Sequence, residues 1–142
     1  MKKIIAILLT LTLLVGLVAC GGSSSNSKPE VDPDAQKVAD YVDKNRSVLL
    51  STMEESFATS SGLTCTSSIK AEGRGIVIDI NINELSNVDA DTKAQLQAAY
   101  DSMDSYWDTM FDELQKELPE LDYFVINVNE KDGTNLASIR AD

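Results

Sequence analysis

"LTCTSSIKAEGRGIVIDININ", Leu63 to Asn83, alternates small or apolar residues with polar ones around a glycine-rich centre. The alternation predicts two strands joined by a tight turn. With Gly73-Arg74 as a two-residue turn of the glycine-first type, Ala71 pairs with Ile76. Ile69 then faces Ile78, Ser67 faces Ile80 and Cys65 faces Ile82, and every apolar partner lands on one face. Thr66, Ser68, Lys70, Asp79 and Asn81 land on the other. A slip of one residue would turn the isoleucines to water, so turn chemistry and alternation fix one register independently.

Outward from this hairpin the period changes. Upstream, Ala35, Val38, Val42, Leu49, Met53 and Phe57 recur at helical spacing, behind Asp32 as a cap and Pro33 in the first turn. Asn45 and Arg46 interrupt that stripe and mark a place for a bend or break, and Ser60-Ser61-Gly62 ends the element. Downstream, Leu96, Ala99, Tyr100, Met103, Trp107, Met110, Phe111, Leu114 and Leu118 form one stripe. At about 100° per residue it spans a little over a third of a helix circumference. This predicts a second helix from near Asp89 that stops before Pro119, since a residue preceding proline is pushed out of helical geometry.

"YFVINVNEKDGTNLASIRAD", Tyr123 to Asp142, reads as a second hairpin about Asp132-Gly133. A two-residue turn pairs Ile126 with Ile139 and Val128 with Ala137, whereas a three-residue turn with a glycine bulge pairs Val128 with Leu136. The first buries more apolar pairs and is preferred. The expected fold is therefore α+β: two αββ units, a four-stranded mostly antiparallel sheet, and two helices packed on one face. A helical link between the hairpins favours a right-handed crossover and a parallel central pair. Asp79, Asn81, Asn127 and Asn129 would line the opposite, wet face.

The beginning of the chain has a different logic. Lys2 and Lys3 precede an apolar run of fifteen residues, Ile4 to Val18, which is shorter than the ~20 residues of a spanning helix. The run ends in "LVAC", Leu17 to Cys20, which resembles a bacterial lipobox. That resemblance implies a diacylglyceryl group, with fatty acyl chains of the palmitate kind, on the Cys20 sulfur, and cleavage between Ala19 and Cys20. Two or more acyl chains give lasting attachment where one gives only marginal binding. Gly21 to Asp32 follows as a flexible tether with a root-mean-square reach of about 19 Å. The division is a lipoprotein signal peptide at 1–19, lipidated cysteine and tether at 20–33, and one α+β domain at 34–142.

Cleavage would leave ten basic against twenty-three acidic residues, a net charge near −13. Such a charge repels nucleic acid and anionic lipid surfaces and favours cations or basic proteins. The remaining chain is one domain long, too short for the two lobes of a typical transporter-linked binding protein. With Cys20 committed to lipid, Cys65 has no partner for a disulfide within the chain.

Residue types narrow the chemistry further. The chain has no histidine, which removes His-dependent triads, histidine general bases and His-ligated metals. Cys65, on the apolar strand face, is expected to be an inert thiol with a raised pKa. Met103, Trp107 and Met110 would wall an apolar pocket if the helix packed loosely. Asp101, Asp104, Asp108 and Asp112 recur at three and four residues within about 80° of arc, the pattern of a solvated face or of a shallow cation site. "NVNEKDG", Asn127 to Gly133, fails as a calcium loop because Lys131 stands where an oxygen ligand belongs. No catalytic, cofactor-binding or metal residue is assigned, and no cofactor is expected.

The lipobox, "VADYVDKN" (Val38–Asn45), "GRGIVIDI" (Gly73–Ile80) and "EKDGTNLASI" (Glu130–Ile139) together resemble small lipoproteins of Gram-positive bacteria that carry a C-terminal domain of unknown function. The resemblance spans 35–142. It implies a lipid-anchored location on the outer face of the cell membrane and supplies no catalytic or binding residues. The functional expectation is a non-enzymatic binding or interaction module of the envelope, contacting a protein or small ligand through the polar sheet face or the acidic helix. The alternatives are an accessory subunit of a transporter or wall-synthesis complex, and a histidine-free hydrolase or transferase.

Overall fold

The computed structural model describes residues 32–142; the leader and Cys20 lie outside the described residues. The element order is α1 (Pro33–Ser61), β1 (Cys65–Glu72), β2 (Gly75–Ile82), α2 (Ala90–Asp101), α3 (Asp104–Glu117), β3 (Tyr123–Glu130) and β4 (Asn135–Ala141). The strands form one sheet in the order β1-β2-β3-β4. Its two outer pairings are antiparallel and the central β2–β3 pairing is parallel.

The first hairpin has the expected register throughout: Cys65 with Ile82, Ser67 with Ile80, Ile69 with Ile78 and Ala71 with Ile76. Gly73 takes φ +59° while Arg74 does not go positive, so the turn uses the left-handed freedom only at its first residue. The second hairpin combines both expected registers. Near the turn, Glu130 N–H donates to the Thr134 carbonyl at 2.8 Å and Asn129 pairs with Asn135, the three-residue arrangement. Beyond it, Val128 pairs with Ala137 and Ile126 with Ile139. The skipped residue is Leu136, a bulge that leaves two successive residues, Leu136 and Ala137, buried together.

Helix α1 is a single element of 29 residues, capped by the Asp32 carboxylate on Asp34 N–H at 3.0 Å and closed by Gly62 in the left-handed region. Asn45 does not break it; its side-chain amide donates to the Tyr41 carbonyl at 2.9 Å. The second expected helix, by contrast, is two helices. Ser102 caps the first of them with right-handed backbone angles, and Met103, at φ −109°, ψ 17°, leaves helical geometry. Ser102 Oγ donates to Ala99 O, Met103 N–H to Tyr100 O, and Trp107 Nε1–H also claims Tyr100 O at 3.2 Å. Local three-residue bonds and the indole thus take carbonyls that a continuous α-helix would give to residues four further on.

The three helices of the described residues cover one side of the sheet, α1 over β1 and α2 and α3 over β4. The largest fully buried side chains include Trp107, Tyr100, Phe57, Phe124, Ile80 and Ile82. Helix side chains also bond to the backbone of each edge strand. Glu54 of α1 accepts from Ser67 N–H and Oγ–H at 2.8 and 2.6 Å on β1. Gln97 of α2 both donates to and accepts from the Ser138 backbone at 2.9 Å on β4. The amide of Gln97 imitates one rung of a fifth strand and blocks the edge at that point.

The polar face differs from its expectation. Asn127 Nδ2 donates to Asp79, Asn129 Nδ2 to Asn81, Asn135 Nδ2 to Asn129 and Ser138 Oγ to Asn127, at 2.9 to 3.1 Å. These side chains satisfy one another across three strands, and Asn129 is buried rather than wet.

Candidate functional site

Because α1 sits over the β1 side and α3 over the β4 side, the central strands are left with a gap above them. The gap is an open apolar groove with a cavity of about 140 Å³. Ile76 and Ile78 of β2, Phe124 and Ile126 of β3 and Ile69 of β1 make the floor. Tyr41, Leu49, Leu50 and Met53 of α1 make one wall, and Met110, Leu114, Glu113 and Glu117 of α3 make the other. Period-two patterning aims the floor residues at the helices, and helical spacing brings the wall residues down toward them. Ile78 is only half-buried although it lies mid-strand on the helix-facing side, as are Tyr41, Leu49, Leu50 and Leu114 along the walls.

Two carboxylates, Glu113 and Glu117, stand one turn apart on the α3 rim and both are exposed. Lys116 forms an ion pair with Glu113. Across the groove, the Tyr41 phenol is held above its ordinary pKa, first by burial and next by the Glu117 charge beside it. The arrangement is an apolar trough with an acidic lip. It can hold an apolar group by desolvation and read charge at one side.

The residues singled out from sequence fall differently. Of Met103, Trp107 and Met110, only Met110 reaches the groove. Trp107 is buried against Tyr100 and edge-on to Tyr106, with ring centroids 6.1 and 5.1 Å away. Asp101, Asp104, Asp108 and Asp112 are all exposed, and the helix break separates the first from the other three. Among the described residues no three carboxylates or thiols gather into a group that could hold a metal ion. Cys65 is half-buried on β1, and its thiol is pushed up to about 11 by burial, then by the charges of Glu54 and Glu84. Tyr41 and Leu50 lie outside the helical stripe along α1. Their signal was only an aromatic and a second leucine next to stripe positions, which periodicity alone discards.

One further charged group is buried without lining the groove. Glu130, at the end of β3 on the helix-facing side, is 3% exposed. Its carboxylate accepts from Val88 N–H at 3.1 Å and pairs with Lys93 Nζ at 3.0 Å. It therefore pins the β2–α2 connection to the sheet. Among the described residues no helix is long and apolar enough to cross a membrane.

Fold and groove together define a small α+β domain with a mixed four-stranded sheet, helices on one face and an apolar trough between them. The chain belongs to the family described as Domain of unknown function (DUF4854), whose model matches residues 38–140. The match begins inside α1 and ends in β4, so it covers the groove entirely. Neither curated proteins nor solved structures give a match to the chain.

Proposed function

We propose that the protein is a binding module of a Gram-positive cell envelope, held on the outer face of the membrane by lipid on Cys20, and that it accommodates an apolar group in the groove between α1 and α3. The anchor is supported by the order of basic residues, short apolar run, "LVAC" box and Gly/Ser tether along residues 2–27. With α1 beginning at Pro33, that tether keeps the groove close to the outer leaflet.

Binding at the groove is carried by one observation: the middle of the sheet's helix-facing side is left partly uncovered, with Ile78 half-buried on a central strand. Apolar area in water forgoes ~25 cal/mol per Å² of burial, and an occupant that closes the trough recovers it. The two rim carboxylates are exposed rather than poised over the floor, which supports recognition more than catalysis. Apolar walls with few polar groups are the usual make-up of a small-ligand site.

Two measurements test the reading. Mass spectrometry of the membrane-extracted protein should find an acylated Cys20 at the mature terminus; an intact leader refutes the anchor. A neutral solvatochromic dye should brighten on binding the protein and lose that response in Ile78→Trp, which fills the trough. A dye that ignores the wild-type protein refutes the groove.

A further inference from the structure

We infer that the occupant of the groove is a small cationic amphiphile, a molecule with an apolar body about the size of one ring and an ammonium or guanidinium group at its end. This rests on the groove being the binding site and adds the charge and size of what enters it.

Size follows from volume. The cavity is about 140 Å³, close to the ~150 Å³ apolar cavity that suffices for a benzene-sized guest. A ring or a short branched chain fits; the full length of a fatty acyl chain does not.

Charge follows from the lining. Among the described residues that line the groove, Glu113 and Glu117 are the ionised ones, and both lie on the α3 side. A ligand whose apolar end rests on Ile78 and Ile126 would extend its polar end past that lip. There Glu117, with the Tyr41 phenol beside it, offers a carboxylate next to an aromatic residue, the two partners a cation prefers. Lys116 offsets part of the Glu113 charge, so Glu117 carries most of the discrimination. The surroundings act in the same direction. Residues 32–142 hold nine basic and twenty-two acidic side chains, a net charge of −13, which draws cations inward and slows the approach of anions. A carboxylate-headed amphiphile of the same size would meet repulsion at both levels.

The experiment compares 3-phenylpropylammonium, 3-phenylpropanol and 3-phenylpropanoate, which share an apolar body and differ in charge. The full chain, held in zwitterionic nanodiscs with methyl-labelled isoleucine, is titrated with each while the Ile76, Ile78 and Ile126 signals are followed. The ammonium should bind about tenfold tighter than the alcohol and the carboxylate weakest. Glu117→Gln should remove most of that preference, and Glu113→Gln less. Raising the salt should shrink it, because exposed charges are screened beyond about 10 Å at 0.1 M. Equal binding of all three overturns the charge assignment and leaves the groove reading standing. No movement of the isoleucine signals with any probe overturns both. A sample that proves dimeric, or whose isoleucine signals change on Cys20→Ser, overturns the inference in favour of a second copy or the chain's own anchor as occupant.

Discussion

Replacing Glu130 with alanine tests how the β2–α2 connection is held. The carboxylate is almost fully buried and serves two donors, Val88 N–H and the Lys93 ammonium. Removing one partner of a buried ion pair costs about 3–5 kcal/mol, chiefly by stranding the other charge. Lys93 is 28% exposed and can partly rehydrate, which lowers that figure. Val88 N–H loses its acceptor, which adds about 1–3 kcal/mol where water cannot reach it. A net loss of about 3 kcal/mol follows. For a domain of about 110 residues, at roughly 4–5 °C per kcal/mol, that lowers Tm by about 12–15 °C. Glu130→Gln keeps an acceptor for Val88 and should lose only about half as much. Replacing Glu130 and Lys93 together with leucine should recover most of the loss, since apolar isosteres often match a buried pair. Urea unfolding followed by circular dichroism gives the free energies, and hydrogen exchange at Val88 reports the local bond. Alanine within about 0.5 kcal/mol of wild type, with Val88 still protected, would refute the reasoning, because surface substitutions fall in that range.

Three further expectations concern other parts of the fold. Tyr100 is 1% exposed and its hydroxyl has no hydrogen-bond partner among the described residues; Tyr100→Phe should raise stability by up to about 1 kcal/mol, and a loss above that in urea unfolding counts against the packing. Gly73 sits at φ +59° with open space around it, so Gly73→Ala should cost about 1–2 kcal/mol by backbone strain alone, whereas an unchanged urea midpoint would mean a different turn. The Cys65 thiol, raised from 9.0 to about 11, is protonated in the fold at pH values where the unfolded chain ionises. Its contribution is therefore complete below about 9 and lost as pH rises toward about 11. Cys65→Ser should flatten that part of the stability profile, and alkylation of the native thiol at pH 8 should run more than tenfold slower than that of a free cysteine; reaction at the free rate would contradict the burial.

The chain shows a clear boundary between what is legible locally and what is not. The first hairpin could be read pair by pair because Gly73 sets the turn and the isoleucines set the face, both within twenty residues. In the second hairpin the two turn lengths were each half right, since the Leu136 bulge lets the three-residue loop coexist with the pairing that buries Ile126 against Ile139. The helix break at Ser102–Met103 leaves no mark in the apolar stripe, which runs through it; the indole of Trp107, reaching back to Tyr100 O, reveals the competing bond. Asp79, Asn81, Asn127 and Asn129 were correctly placed on one face, but that they satisfy each other instead of water depends on the parallel pairing of β2 with β3.

What the sequence by itself determined is the four strands, the helical stretches between them, the first register, the charge and the lipobox resemblance, because each arises from residues adjacent along the chain or one helical turn apart. The tertiary structure alone decided the groove, the helix side chains bonded to the edge strands and the buried Glu130. These depend on where α1 and α3 come to rest over strands dozens of residues away, a matter of how side-chain volumes pack in three dimensions, on which periodicity along the chain carries no information.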